Sequence, residues 1–169
     1  MTETGSHVQS AIDEVVTLTQ ELTRIDTSNF GESAETVGEA AAAEYVAERL
    51  REVGLDPEVV TTTSDLRRAV VVRLTGRDRD APALLLHGHL DVVPAVLSDW
   101  THDPFAAELD DGFIWGRGAV DMKDMDAMIL AIVRAWARSG VQPRRDIVVL
   151  FLPDEEAGGA HGGHWLVEN

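Results

Sequence analysis

The stretch Leu84-Leu-Leu-His-Gly-His-Leu-Asp-Val-Val-Pro94 constrains this chain more than any other. A short apolar run bounded by a charged turn at 76–80 and by a proline reads as a strand buried in a parallel sheet. Its far end carries two histidines and an aspartate, which a buried strand does not carry without a use for them. His89 and Asp91 are expected to share a face, with His87 on the opposite one as a packed or hydrogen-bonded histidine. A metal-bound imidazole needs its second ring N–H held, and a nearby carboxylate is the usual holder. His89 with Asp91, at the carboxyl end of a strand, therefore reads as half of a metal site, in the place where open α/β sheets bind ligands.

The surrounding pattern alternates helix and strand. Val8, Ile12, Val15, Val16, Leu22 and Ile25 predict a helix over 8–25 with Ser6 as its N-cap, and a second helix over 36–53 stops at Gly54. Valine- and threonine-rich strands follow at 57–63 and 68–74. Residues 106–115 read as a hairpin turning at Asp110-Asp-Gly112. Met125, Met128, Ile129, Ile132, Val133 and Trp136 form one helical stripe, read as plain core, and Gly140 ends that helix. A buried strand at 146–152 leads to the first turns of a last helix at 161–169, where His161 and His164 are expected on an exposed face. This alternation predicts an α/β fold: a three-layer α/β/α arrangement with helices on both faces of a mixed, mostly parallel sheet.

Composition narrows the partners. Thirty acids against 14 bases give a net charge of −16, which argues against nucleic acid or an anionic membrane, since both call for basic patches. Most of those acids read as a solvated surface, and some as cation ligands. The absence of cysteine excludes disulfides, thiolate zinc sites and cysteine nucleophiles. No apolar run approaches the ~18–20 residues of a membrane span, and the first residues lack a basic, apolar leader, so the expected location is cytoplasmic. A chain of 169 residues fits one domain with its own core.

Two further motifs follow the first in order. Gly116-Arg-Gly-Ala-Val-Asp-Met-Lys-Asp124 is a glycine-rich turn with Asp121 just ahead of a helix, and Phe151-Leu-Pro-Asp-Glu-Glu-Ala-Gly-Gly159 is an apolar strand running into paired glutamates. With the histidine motif they resemble, over residues 8–169, the M20 family of metallopeptidases and amidohydrolases, which includes aminoacylases, deacylases, carboxypeptidases and dipeptidases. The resemblance implies amide hydrolysis of an N-acyl amino acid or small peptide on two zinc ions, with cobalt or manganese as alternatives. It implies His89 on one zinc, Asp121 bridging both, Glu156 on the second, Glu155 as general base and acid, and Asp91 orienting His89. Asp124 stands where the family commonly has glycine; a carboxylate there is favoured by the helix dipole alone, and it receives no catalytic role.

The resemblance also implies that 1–169 is the amino-terminal part of the catalytic, zinc-binding domain. An acid and a histidine ligand, and a smaller lid and dimerisation domain of a homodimer, would lie in further sequence. As it stands the chain is expected to be inactive and to bind zinc poorly. An open sheet edge is expected beside the strand that leads to Glu155, with Trp165-Leu-Val167 partly exposed. Two other readings compete. A His-x-His hydrolase on a β/α barrel, using His87 with His89, fits poorly with the two leading helices, the hairpin and the lack of further His-bearing strands. A non-catalytic fragment that binds metal or a partner chain is the serious alternative for the chain as it stands.

Overall fold

The structure is a computed structural model and describes residues 3–169. Its elements run α1 (Glu3–Thr23), α2 (Ala40–Arg51), β1 (Glu58–Thr61), β2 (Arg68–Leu74), β3 (Leu84–His89), β4 (Glu108–Asp110), β5 (Phe113–Trp115), α3 (Lys123–Ser139), β6 (Ile147–Leu152) and α4 (Gly163–Glu168). Four strands form a sheet in the order β1-β2-β6-β3, and β4 and β5 form a separate hairpin. The most apolar strand, Ile147-Val-Val-Leu-Phe-Leu152, takes an interior position with a neighbour on each side.

The fold is α/β with a mixed sheet, but only one of its three strand pairings, β3 with β6, is parallel. Parallel neighbours need a long crossover, usually with a helix; α3 supplies one between β3 and β6, whereas the short link between β1 and β2 makes that pair antiparallel. The interior place of β6 also moves the expected open edge. The strand leading to Glu155 is flanked on both sides, and the outer strands are β1 and β3.

Register explains the core. Val70 lies opposite Phe151, Val72 opposite Val149 and Leu74 opposite Ile147, so six buried apolar side chains share one face. They join Leu18 and Leu22 of α1, Val46 and Leu50 of α2, and Leu130 and Val133 of α3 in a single core. The opposite face carries Val71, Arg73, Leu85, His87, Val148 and Leu150, all half-buried or exposed. Of the three layers expected, the described residues therefore show the sheet and one helical layer, α1 to α3.

Several local expectations shift. His87 and His89 face the same side, as residues two apart in a strand must; they differ in burial, with His87 exposed and His89 5% exposed. Helix α1 begins at Glu3, so Ser6 lies inside it and is no cap. Helix α2 begins at Ala40, four residues later than its apolar pattern allows, because Leu66 O takes the amides of Glu39 and Ala40 and fixes the entry there. Gly54 and Gly140 close α2 and α3 with φ of 79° and 65°. On α3, Met125 and Met128 are exposed, and Ala127, Leu130 and Ala131 turn inward where α1 and β3 pack against the helix. In α4, Val167 is exposed while Trp165 and Leu166 are half-buried.

Candidate metal centre

β3 and β6 run parallel with His89 beside Leu152, so the segments that leave them emerge together at one sheet edge. After β6 the chain turns at Asp154, whose φ of 67° is one that aspartate tolerates better than most side chains. A single 3-10 turn, Glu155–Ala157, follows. Both leading amides of that turn are held by Asp91: Glu155 N donates to Oδ1 and Glu156 N to Oδ2, each at 3.0 Å. The β4–β5 hairpin brings the chain back so that Arg117 N donates to Pro104 O at 2.7 Å and Lys123 N to Gly118 O at 2.8 Å. The Asp121–Met122 peptide between them is cis. Lys123 is fully buried, and its Nζ donates to Ile25 O at 2.7 Å, anchoring the start of α3 beneath Asp121. Burial holds the Lys123 amine down at about 8, against the pull of Asp126, Asp26 and Asp91.

This arrangement brings His89, Asp121 and Glu156 together, with one ligand-type atom from each within 4.8 Å of the others. His89 Nε2 lies 3.1 Å from Asp121 Oδ1 and 3.6 Å from Glu155 Oε2. Its Nδ1 lies 3.0 Å from the carbonyl of Asp91 and 3.5 Å from Asp91 Oδ1. Both of those neighbours accept hydrogen bonds, so Nδ1 carries the ring proton, and in the neutral ring Nε2 is left with its lone pair toward the acids. Burial disfavours charge on His89, but Asp91 outweighs it, Glu155 adds to it, and the imidazole is pushed up to about 9. Asp91 is buried, which would raise its carboxyl, yet the hydrogen bonds from His89, Asn29 and the two glutamate amides keep it below its ordinary value. Glu156 is raised by burial, opposed by His89 and reinforced by Asp121, Asp91 and Glu155.

The donor set fits a divalent ion. One imidazole nitrogen and carboxylate oxygens are ligands that zinc, cobalt and manganese accept. Donors around one tetrahedral ion at 2.0–2.2 Å stand ~3.4 Å apart, so modest rotations of the exposed Asp121 and half-buried Glu156 carboxylates close the spread found here.

Sequence reasoning missed the residues behind this cluster. Asn29, Glu39, Arg67 and Asp154 are all buried and bonded to one another, and Asn29 and Asp154 lie one hydrogen bond from Asp91 or from the turn it holds. Their partners sit 28 to 125 residues away along the chain, and no local periodicity marks them. Asp126 is also buried, with neither oxygen partnered; burial raises its carboxyl well above the ordinary value, and it packs against Gly88 of β3. His161 and His164 do not form a pair. His161 precedes α4 and lies 2.8 Å from Glu32 Oε1 and 2.9 Å from Thr63 Oγ1, while His164 is exposed.

An α/β sheet with one histidine and several carboxylates gathered at its strand ends is a domain that carries a candidate site for a divalent metal ion. More particularly, residues 85–169 match peptidase family M20/M25/M40, and the chain belongs to that family. It is 38% identical over 129 residues to aminoacylase-1 of Sus scrofa, covering 76% of this chain and 31% of that protein. Among solved structures it is similar to the di-peptidase Dug1p from Saccharomyces cerevisiae, with a TM-score of 0.74 and 25% identity over 94% of this chain and 36% of that one. It shares its fold with human carnosine dipeptidase 1, with a TM-score of 0.78 and 22% identity over 99% of this chain and 38% of that one. The chain spans about a third or less of the length of the curated relatives it matches.

Proposed function

We propose that the protein to which this chain belongs is a zinc-dependent hydrolase of the amide bond in N-acyl amino acids or small peptides. The observation that carries this reading is the meeting of His89, Asp121 and Glu156 within 4.8 Å, with Glu155 facing the same space. His89 and Asp121 would hold one ion and Asp121 and Glu156 a second, with Asp91 fixing the His89 ring from behind. Such ions, when bound, acidify a water and polarise the scissile carbonyl. Glu155 is left for proton transfer: its side chain is 60% exposed, and its neighbour Glu156 is the one turned toward the ligand cluster. It takes a proton from the attacking water and hands it to the departing amide nitrogen. Relatives named as an aminoacylase and a dipeptidase support a small substrate, and we place the reaction in the cytoplasm.

Three side chains shared between two ions give each ion only two protein ligands, whereas catalytic zinc sites use three. We therefore assign residues 1–169 to the amino-terminal part of the catalytic domain and place the remaining ligands, the lid and the homodimer contacts in sequence beyond it. On this reading the chain alone binds zinc poorly and does not turn over. Metal analysis with zinc titration, alongside an N-acetyl amino acid hydrolysis assay on this chain and on a longer form, tests both statements. Two tightly bound zincs per 169-residue chain with turnover would overturn the division, and a longer form that neither binds metal nor hydrolyses amides would overturn the function.

A further inference from the structure

Asp91 has no exposed surface, and its two oxygens face four donors. Three belong to the site itself: His89 Nδ1 at 3.5 Å and the amides of Glu155 and Glu156 at 3.0 Å. The fourth and shortest comes from Asn29 Nδ2 at 2.7 Å, from a loop 62 residues earlier.

Asn29 can face only one way. Its Oδ1 accepts from Arg67 Nη2 and from Gly31 N, both at 2.9 Å, and its Nδ2 donates to Asp91 and to Asp154 Oδ1 at 3.1 Å. A flipped amide would set NH2 against a guanidinium and an oxygen against two carboxylates, leaving buried polar groups opposed rather than paired. Arg67 is itself held by Glu39 at 2.7 Å and Asp154 at 3.1 Å, with only 6% of its side chain exposed. A buried guanidinium fixed on two carboxylates is a rigid fork.

We propose that Asn29, locked by Arg67, is a positioning residue that sets the rotation of the Asp91 carboxylate and, through it, the spacing between His89 and the Glu155–Glu156 turn. The inference rests on the metal-centre reading. Asn29 touches neither ligand atoms nor the reacting space. It acts because a carboxylate that must serve an imidazole and two amides at once has only one useful rotation. Asp91 stands one bond behind a metal ligand, a place that typically carries 10- to 100-fold in metal affinity or activity, and Asn29 acts on it from one bond further back.

The test is Co2+ titration followed by visible absorption, with zinc competition, on a longer form that carries the remaining ligands, unsubstituted and with Asn29→Asp or Asn29→Ala. Asn29→Asp keeps the shape and the acceptor for Arg67 but lacks the donor, so it separates positioning from packing. Both variants are expected to bind Co2+ severalfold to about 10-fold more weakly, the lower end of what a partner bonded to the ligand itself carries, with a changed absorption band. Circular dichroism should show both still melting cooperatively. Asn29→Asp binding within twofold of the unsubstituted protein overturns the proposal. Should that variant not fold, Arg67→Lys decides: it keeps the charge but loses the fork, a severalfold loss of affinity is expected, and unchanged affinity overturns the locking role. An unsubstituted protein that takes up neither Co2+ nor zinc overturns the metal-centre reading and this one with it.

Discussion

Glu155 and Glu156 are adjacent in sequence yet stand in different surroundings. Glu156 is half-buried within the ligand cluster, while most of the Glu155 side chain is in solvent, 3.6 Å from His89 Nε2. In a form that turns over, Glu155→Gln is expected to keep its metal and to lose about 10²- to 10⁴-fold in rate, the usual scale of a lost general base. Glu156→Gln should instead lose one ion by metal analysis. A rate within a few-fold of normal for Glu155→Gln would remove it as the base. Behind the site, Arg67 faces the carboxyls of Glu39 and Asp154, and Glu39 has one buried oxygen without a partner. Burial lifts Glu39 from 4.5 to about 7, against Arg67 and with help from Asp91. The folded state then holds a proton that the unfolded chain gives up earlier. Its contribution to stability is complete below pH 4.5, falls as the pH rises toward 7 and is gone above it. Urea unfolding of Glu39→Gln should show a flatter stability profile across that window, and an unchanged slope would mean that Glu39 is ionised throughout. His89, Asp91, Asp121, Glu155 and Glu156 could be named as candidates from the sequence because each lies in a short motif of unusual composition. Asn29, Arg67 and Glu39 could not, because their significance lies in partners brought near only by folding.

At the level of elements, β3 and α3 approach unusually closely. A Cβ at position 88 would overlap Asp126 Oδ1. Gly88→Ala is expected to cost about 1–3 kcal/mol by overpacking and to weaken metal uptake, because the shift falls on the strand that ends at His89. Adding Asp126→Ala should recover part of the stability by removing the obstructing oxygen; urea melts of the single and double variants measure both. If Gly88→Ala melts like the unsubstituted chain, the contact is looser than described. Element positions were readable wherever the backbone needs a special residue. Gly54 and Gly140 close their helices, and Asp111 and Gly112, at φ of 48° and 82°, make the hairpin turn. Pairing was less readable. An apolar run announces burial but not its neighbours, so the interior place of β6 and the antiparallel β2–β6 ladder were hidden. The α3 stripe misled because Met125 and Met128 share its spacing but lie on the side away from β3.

Across the whole molecule, β3 has one strand neighbour, and its outward face shows Leu85, 52% exposed, beside Val148 and Leu150. Unpaired edges with exposed apolar side chains invite pairing with another chain. The 169-residue chain is therefore expected to self-associate in sedimentation velocity at tens of micromolar. Leu85→Lys, at a position already in solvent, should reduce that association without lowering the melting temperature. A monomer at all concentrations would show that the −16 charge keeps copies apart. The Asp91 clamp has a wider consequence. It grips the main-chain amides of Glu155 and Glu156 and leaves their side chains alone, so where the two strand ends sit does not depend on which side chains follow them. Placement and reactivity are thus separate variables in this molecule. The pair at 155 and 156 can be rewritten to try other ions or other proton-carrying groups on an unmoved backbone, whereas a change at Asp91 alters both variables at once.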